Sequence, residues 1–316
     1  MRDVLPYIYL CFITKHYGSK KLQHQQLFVD NVSSTARSLN ISSVPFEEGQ
    51  EKEEENLLVE ILSQGPYHAV ANKPPSIKCH NSDWTGPKNN EVAMLQRVRD
   101  TIGRRINLIH RLDRGASGCL LASHAEENCE ELRECTKTLI EALQSPLATK
   151  TYVAIVRGEG VFKDEDFRQK GWFNIDRPIK DENGIENSAN TAFRFVAGVN
   201  RADDGVRASL VLARPSTGRW HQIRRHLNGL SHPILGDSTH GNSRTNREWR
   251  SRGLPGERIC LHLARMQLPP TSFIPSGLDV RSPIADDMMM LLRDHLPEVL
   301  LEAQSELKDE GIMLNK

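Results

Sequence analysis

One carboxylate in this sequence occupies a position suited to a reacting group. Asp113 stands between Arg111 and Arg114 in a turn of glycine and small residues, after the apolar run 106–109 and before the apolar run 119–122. The two guanidinium groups favour its ionised form, and a strand–turn–strand would hold it on rigid elements. The ordinary alternative is an aspartate that only hydrogen-bonds its own turn, and this segment taken alone favours that alternative.

A second polar cluster lies between Arg214 and Leu227. Thr217 and Gly218 are predicted to begin a helix, whose free backbone amides would attract an anion. Helical spacing turns Ile223 and Leu227 toward the core and gathers the polar residues along another edge; these are Arg219, His221, Gln222, Arg224 and Arg225. The alternative is an amphipathic surface helix with solvated arginines.

Three further clusters add polar groups. Tyr152 stands near the start of a predicted strand, 150–156, where core packing is the usual role of a tyrosine. Residues 232–241 read as a strand end and a tight loop that Asp237 could cap. Residues 72–75, with the sequence Asn-Lys-Pro-Pro, form a rigid turn that ends a strand.

Charge is segregated along a chain of 316 residues with zero net charge. Arginine, with almost no lysine, dominates residues 97–114 and 214–250, while acidic residues collect in 47–60, in 126–134 and near the C-terminus. Arginine is the residue preferred for phosphate and carboxylate recognition. The pattern predicts a basic cleft for a polyanion, against the alternative of solvated charged faces.

Several classes of protein are disfavoured by composition. The six cysteines show no two-residue spacing, so they are interpreted as reduced thiols of an intracellular compartment. The histidines show no HExxH pattern, and no metal site is expected. No apolar run approaches the roughly 20 residues of a membrane span. The weakly basic residues 1–44 leave two options open, a cytoplasmic protein with an ordinary extension or a chloroplast or mitochondrial transit segment.

Three regions are predicted along the chain. Residues 1–56 form an N-terminal extension with an acidic linker, residues 57–300 a catalytic domain, and residues 301–316 an acidic C-terminal helix or tail. Residues 159–190 are predicted as loop with one or two short strands. The predicted strands are 68–71, 150–156, 191–196, 207–212 and 259–268; the predicted helices are 90–102, 125–144, the one beginning at Thr217 and Gly218, and the segment after 285. Strands that follow strands indicate an α+β fold with a mixed, largely antiparallel sheet and flanking helices.

In this order, the clusters resemble the RluA-type RNA pseudouridine synthases over about residues 64–297. The resemblance is closest to the TruC branch, which modifies a uridine in the T-stem of tRNA. It implies the pseudouridine synthase fold with a central cleft. The motifs that carry it are His110–Asp113 with Ser117-Gly118, Asn72–Pro75, Lys150 with Tyr152, Thr217–Arg219 with His221–Arg224, and His232–Ile234 with Gly236-Asp237.

The resemblance implies an isomerase that detaches uracil at N1, turns it and rejoins it through C5, with no cofactor or metal. It assigns Asp113 as the nucleophile, Arg224 as the residue that pairs with it, and Tyr152 as the residue that lies against the base and assists proton removal from C5. Attack at C6, attack at C1′ and a glycal route all remain open at this point.

The same resemblance implies that the target uridine leaves its stack and that Arg111 fills the gap. The expected partner is structured RNA, with tRNA favoured over ribosomal RNA, bound by a monomer. The expected RNA-binding residues are His110, Arg111, Arg219, His221, Gln222 and Arg225.

Two positions depart from the family pattern. Gly115 stands where the branch usually has proline, and Ala116 where the family usually has threonine. The glycine predicts a turn with more freedom in the unfolded chain, and the alanine removes one hydroxyl near Asp113. Activity is expected to persist with altered efficiency.

Two other functions compete with this one. A catalytically silent RNA-binding protein would use the same basic cleft, but it has no need for the set Asp113, Tyr152 and Arg224. An aspartyl-nucleophile hydrolase or phosphatase would have a second aspartate two residues from Asp113 or nearby metal ligands, and neither is present in the sequence.

Overall fold

The computed structural model describes residues 58–81 and 91–315. The predicted extension 1–56, with its acidic linker and its targeting option, lies outside these described residues. Within them, no helix is both long enough and apolar enough to cross a membrane.

The described chain contains fourteen strands, and the longer ones lie where the apolar runs predict them. Five of the fourteen are short strands between residues 161 and 187, more than the one or two predicted there. The strands are β1 (Ile61–Gln64), β2 (His68–Lys73), β3 (Ile106–Leu108), β4 (Ser117–His124), β5 (Thr149–Arg157), β6 (Val161–Phe162), β7 (Glu165–Asp166), β8 (Phe173–Asp176), β9 (Ile179–Lys180), β10 (Glu186–Asn187), β11 (Asn190–Asn200), β12 (Arg207–Pro215), β13 (Leu261–Leu268) and β14 (Leu278–Arg281).

Ten of these strands form one sheet in the order β1-β2-β4-β13-β5-β12-β11-β8, with β3 paired to β4 and β14 paired to β13. All the pairings are antiparallel except that of β13 with β4. This arrangement confirms the predicted α+β fold with a mixed, largely antiparallel sheet.

Helices cover the sheet with their apolar faces. The helix α2 packs on β4, where every residue is buried, and α6 packs on β11 and β12 through Val299, Ala303 and Leu307. Because α6 runs through residue 300, the domain boundary proposed there falls inside a helix. The helices are α1 (Met94–Ile102), α2 (Glu130–Gln144), α3 (Gln222–Gly229), α4 (Ser243–Ser251), α5 (Asp286–His295) and α6 (Pro297–Asp309).

The predicted start of α3 is wrong. The helix begins at Gln222, and Thr217 and Gly218 belong to a loop between β12 and α3. The Thr217 hydroxyl accepts the Asn190 amide and donates to the Gln222 side chain, so it fastens that loop to β11 instead of capping a helix. The helices α1 and α2 also begin later than predicted, by four and five residues.

One row of paired residues crosses the middle of the sheet and fixes the relative positions of the strands that carry the site. Lys73 on β2 pairs with Gly118 on β4, Gly118 pairs with Leu263 on β13, and Leu263 pairs with Tyr152 on β5. Gly118 has a φ of 110°, and a β-carbon there would lie 2.3 Å from the Leu263 carbonyl oxygen. Only glycine therefore allows β4 to approach β13 closely enough for the turn before β4 to lie near Tyr152.

Candidate active site

The predicted catalytic residues come together at a cavity of about 170 Å³. Asp113 comes from the turn between β3 and β4, Tyr152 from β5, and Arg224 from α3. A larger groove of about 450 Å³, at the C-terminal end of α6, contains none of the predicted site residues. The predicted residues that line the smaller cavity are Arg111, Asp113, Tyr152, Arg219, His221, Gln222 and Arg224.

Asp113 is held by Arg224, which shares its guanidinium between two carboxylates. Its Nη1 donates to Asp113 Oδ2 at 2.8 Å, while Nε and Nη2 donate to the two oxygens of Asp237 at 2.7 and 2.8 Å. The Asp113 side chain is 29% exposed, whereas those of Arg224 and Asp237 are 4% and 1% exposed. The bidentate pair buries and fixes the guanidinium, so Asp113 is aimed into the cavity with one edge open.

Asp237 was predicted only as a possible loop cap, and the structure gives it a larger role. Burial opposes its ionisation, but hydrogen bonds from Arg224 and from the amides of His240 and Thr239 outweigh burial and lower the pKa of Asp237. Nothing in the local sequence pairs Asp237 with Arg224, 13 residues away. The missed signal was its place in the His232–Asp237 motif.

The arginines that flank Asp113 do not bind it. Arg114 turns away and forms ion pairs with Glu91 and Glu257 at 3.1 and 3.0 Å. Arg111 is exposed and lines the cavity. The expectation that the two flanking arginines pair with Asp113 is therefore wrong, because its partner is the Arg224 guanidinium of α3.

His221 presents its ring to the site from a strained backbone. It has a φ of 54°, a left-handed conformation that costs free energy for any residue other than glycine. Its Nε2 lies 3.9 Å from Asp113 Oδ1, and its Nδ1 is hydrogen-bonded to His240 Nε2 at 2.9 Å. Burial lowers the pKa of His221 to about 4, so the ring is neutral at pH 7.

Tyr152 lies at the floor of the cavity and is buried. Burial raises the pKa of its hydroxyl, and the nearby negative charge of Asp113 raises it further. The phenol is therefore protonated at every physiological pH. Tyr152 and Asp113 line the same small cavity.

Gln222 has a structural role that the sequence did not predict, and its contact with RNA stays a prediction. Its Oε1 accepts the Thr217 hydroxyl and the Arg219 amide, and its Nε2 donates to Asn190 O and Thr191 Oγ1. These contacts use both hydrogens of the amide and both lone pairs of its oxygen. Gln222 thereby holds the loop before α3 against β11.

His110 also has a structural role, and its contact with RNA stays a prediction. Its Nε2 accepts the backbone amide of Leu121 on β4 at 3.1 Å, and it is absent from the cavity lining. Burial lowers the pKa of His110 to about 4, which keeps that nitrogen free to accept. His110 therefore ties the start of the turn to the strand that follows it.

Arg219 and Arg225 both fasten the segment that carries β9 and β10. Arg219 Nε donates to Ser188 O at 3.0 Å, and Arg225 Nη1 donates to Lys180 O at 2.8 Å. Arg219 also lines the cavity, whereas Arg225 does not. Contact of these two side chains with RNA stays a prediction.

Two buried cations hold the turn that carries Asp113, and the sequence predicted neither role. Lys73 Nζ donates to the carbonyl oxygens of Pro74, Arg114 and Ala116 at 2.9, 3.1 and 2.8 Å. Arg258 Nη1 donates to Gly115 O at 3.0 Å. Both side chains are fully buried. They fix the backbone on both sides of Asp113, which a reacting group needs.

We expect Lys73→Met to lower both stability and turnover. The substitution leaves three carbonyl groups without their donor, at a cost of about 2 kcal/mol or more. Burial lowers the pKa of Lys73 to about 8, and a neutral amine has only two hydrogens for the three acceptors. Turnover of the unmodified protein should therefore fall as pH rises through about 8.

The measurement is a pH profile of turnover from 6.5 to 9.5, with the unfolding free energy measured alongside. The Lys73→Met variant should lack the step near pH 8, at a lower overall rate. A step of the same size in the variant would exclude Lys73 as its source.

In the folded protein Gly115 is held firmly, whatever freedom it adds to the unfolded chain. Its carbonyl accepts bonds from Arg258 and from the Ile259 amide at 2.9 Å. A β-carbon at Gly115 would lie 2.4 Å from the Glu257 carbonyl oxygen and 2.8 Å from Ile259 Cγ1. In this chain glycine thus lets residues 257–259 close over the turn, and the family's usual proline would not fit.

We expect Gly115→Pro, which restores the family's usual residue, to destabilise the protein by about 1–3 kcal/mol and to lower turnover. The reason is the collision with the backbone of Glu257. Thermal unfolding and turnover measure both effects. Gly256→Ala is the matched control, because a β-carbon there meets nothing within 4 Å. A Gly115→Pro variant as stable as the control would contradict the packing argument.

Metal ligands do not cluster in the described ranges. No group of three His, Cys, Asp or Glu side chains within them could hold an ion. The five cysteines of the described chain, Cys79, Cys119, Cys129, Cys135 and Cys260, are all free thiols.

Comparison with solved structures supports the architecture. The human RNA pseudouridylate synthase domain containing 4 superposes with a TM-score of 0.53 at 19% identity, covering 75% of this chain and 92% of that one. The human RNA pseudouridylate synthase domain containing 1 gives 0.51 at 21% identity, covering 71% and 83%. At these identities the likeness shows a common fold.

Sequence relatives give the closer relationship. The protein tRNA pseudouridine synthase C of Salmonella typhi is 34% identical over 219 residues, which cover 67% of this chain and 80% of that protein. The Vibrio cholerae protein of the same name is 33% identical, and the match covers 85% of its length. The Pectobacterium carotovorum protein is also 33% identical, but the match covers 59% of its length. A family model described as RNA pseudouridylate synthase matches residues 67–229. The chain therefore belongs to the RNA pseudouridylate synthase family, in the RluA-type group and the branch of the tRNA pseudouridine synthase C proteins.

Proposed function

We propose that this protein converts a uridine of tRNA to pseudouridine, with Asp113 as the nucleophile. The observation that carries the proposal is the Asp113 carboxylate held by Arg224 at 2.8 Å beside Tyr152, in a cavity with an open edge. A protein that only binds RNA has no use for a carboxylate at the centre of a site for a polyanion.

The chemistry follows from the positions of the three side chains. Arg224 holds and aims the carboxylate, and the base must leave its stack to reach it. Attack on C1′, attack on C6 and a glycal route all use an ionised carboxylate in this position. Tyr152 lies against the base and, as a protonated phenol, positions it, while the proton at C5 passes to solvent water.

RNA enters the cavity past Arg111, which is exposed at its edge. The planar guanidinium can stack on bases and fill the gap that the flipped uridine leaves. Arg219 is the second cation of the lining and offers a contact to phosphate.

Transfer RNA is the proposed substrate because the relatives at 33–34% identity are named as tRNA pseudouridine synthases. Ribosomal RNA is the second candidate. We also propose a monomer, since one chain supplies Asp113, Tyr152 and Arg224. Light scattering of the purified protein tests that state directly.

Tritium release tests the proposed activity. Transfer RNA transcribed with uridine labelled at C5 loses its tritium to water when C5 forms the new glycosidic bond. We expect release of about one tritium per tRNA molecule, with the modified uridine then mapped. Tight binding of tRNA and of ribosomal RNA without any release from either would overturn the proposal in favour of a catalytically silent RNA-binding protein.

A further inference from the structure

Trp220 is an exposed aromatic side chain at the rim of the cavity. It is 55% exposed, and it is the only aromatic residue among the large apolar side chains exposed in residues 58–81 and 91–315. Burial of such a ring is the usual outcome in a folded protein, because it removes a large apolar area from water. An exposed ring beside a site for RNA therefore needs a reason.

The ring is held in a fixed place by its neighbours. Trp220 stacks on His221 with ring centroids 3.8 Å apart and planes inclined by 22°. His221 is hydrogen-bonded to His240, and the His240 amide is bound by Asp237. The indole is thus supported from one face by a neutral imidazole that is itself fixed. The opposite face of the indole is the one exposed to solvent.

The stack extends from the site of reaction. His221 Nε2 is 3.9 Å from Asp113 Oδ1, so a single imidazole separates the indole from the carboxylate. A uridine bound at Asp113 has left its stack, and a base beside it has lost one stacking partner. Trp220 offers a flat apolar face one imidazole away from the carboxylate that would hold the uridine.

We propose that Trp220 is a binding subsite for an unpaired nucleobase of the RNA, the one next to the target uridine. The inference rests on the proposed function, because it places the uridine at Asp113. Stacking on an aromatic ring accepts any of the four bases, since each has an apolar face. The subsite therefore adds affinity for an opened RNA segment without reading its sequence.

The first test measures binding of unmodified tRNA transcripts by Trp220→Ala over a range of salt concentrations. Loss of one stacked base should raise Kd about 5- to 150-fold. The dependence of log Kd on log salt should be unchanged, because a neutral ring releases no counterions. Trp220→Phe keeps a flat ring and should bind within about fivefold of the unmodified protein.

Two variants calibrate this result. Leu301→Ala removes an exposed apolar side chain of α6 that does not line the cavity, and it should leave Kd unchanged. Arg219→Gln removes the cation of the cavity lining that is proposed to contact phosphate, and it should reduce the salt slope by about 1. Loss of a stacking contact raises Kd by the same factor at every salt concentration. Loss of a charge contact instead changes the slope of log Kd against log salt.

The second test asks whether the Trp220 ring contacts one particular base of the RNA. After the modified uridine is mapped, oligonucleotides are made with an abasic site on its 5′ or its 3′ side. The Kd of each is measured for the unmodified protein and for Trp220→Ala. One abasic site should weaken binding by the unmodified protein as much as Trp220→Ala does, and should add little to that variant. Full addition of the two penalties would overturn the subsite.

Activity separates this inference from the function on which it rests. If the unmodified protein releases no tritium, both are overturned. If it releases tritium but Trp220→Ala binds tRNA with an unchanged Kd, only the subsite is overturned. A fall in kcat with Kd and KM unchanged has the same meaning, because it would make Trp220 merely a support for His221.

Discussion

Asp113→Asn is expected to abolish tritium release from tRNA, lowering turnover by roughly 10⁴-fold or more, the scale seen when an enzyme loses its nucleophile. The amide has nearly the same shape as the carboxylate but lacks its charge and nucleophilicity. Arg224 keeps its bidentate partner Asp237 in the variant, so the fold should be maintained.

Binding separates loss of chemistry from loss of structure. The variant should bind tRNA at least as tightly as the unmodified protein, since a negative charge near a polyanion has been removed. Asp100→Asn is the control, because Asp100 is exposed and its ion pair with Arg99 lies outside the cavity lining. Substantial release by Asp113→Asn would show that another group forms the intermediate.

Asp237→Asn is expected to have the largest effect on stability, about 3–5 kcal/mol, the cost of breaking a buried ion pair. Asp237 Oδ1 accepts bonds from Arg224, Thr239 and His240, and Oδ2 accepts a further bond from Arg224. An amide turns one donor toward a buried guanidinium. Arg224 is then left with Asp113 alone, so turnover should fall as well.

Asp279→Asn is the matched control for burial. Arg265 binds Asp279 in the same two-point geometry, but that carboxylate is 39% exposed. Loss of an exposed pair costs about 1 kcal/mol or less. Urea denaturation at pH 7 measures both variants, and equal losses would show that burial of the pair does not matter.

The pH dependence gives a second readout for Asp237. Its pKa is lower in the folded protein than in the unfolded chain, so its stabilisation is present above the unfolded value near 4 and is lost as pH falls through the folded value. The difference in unfolding free energy between the unmodified protein and Asp237→Asn should therefore narrow below about pH 4. A constant difference would mean that the carboxylate charge contributes nothing.

Elements with strong apolar patterns were predictable from the sequence, and weakly patterned ones were not. The continuous apolar run in β5, residues 152–156, has the length and composition of a strand buried on both faces. The two-residue strands between 161 and 187 depend on pairing partners, and Thr217 looks like a helix cap until its hydroxyl binds Asn190. Tertiary contacts decided these cases.

By itself the sequence determined the family, the mixed sheet and the group Asp113, Tyr152 and Arg224, because these depend on residue types in a fixed order. Only the tertiary structure decided that Arg224 is shared with Asp237 and that Arg114, beside Asp113 in sequence, serves other carboxylates. Arg114 lies next to Asp113 in sequence and binds Glu91 and Glu257, whereas Arg224, 111 residues away, binds Asp113. A side chain's electrostatic partners are set by distance and burial in space, and neither quantity is encoded in separation along the chain.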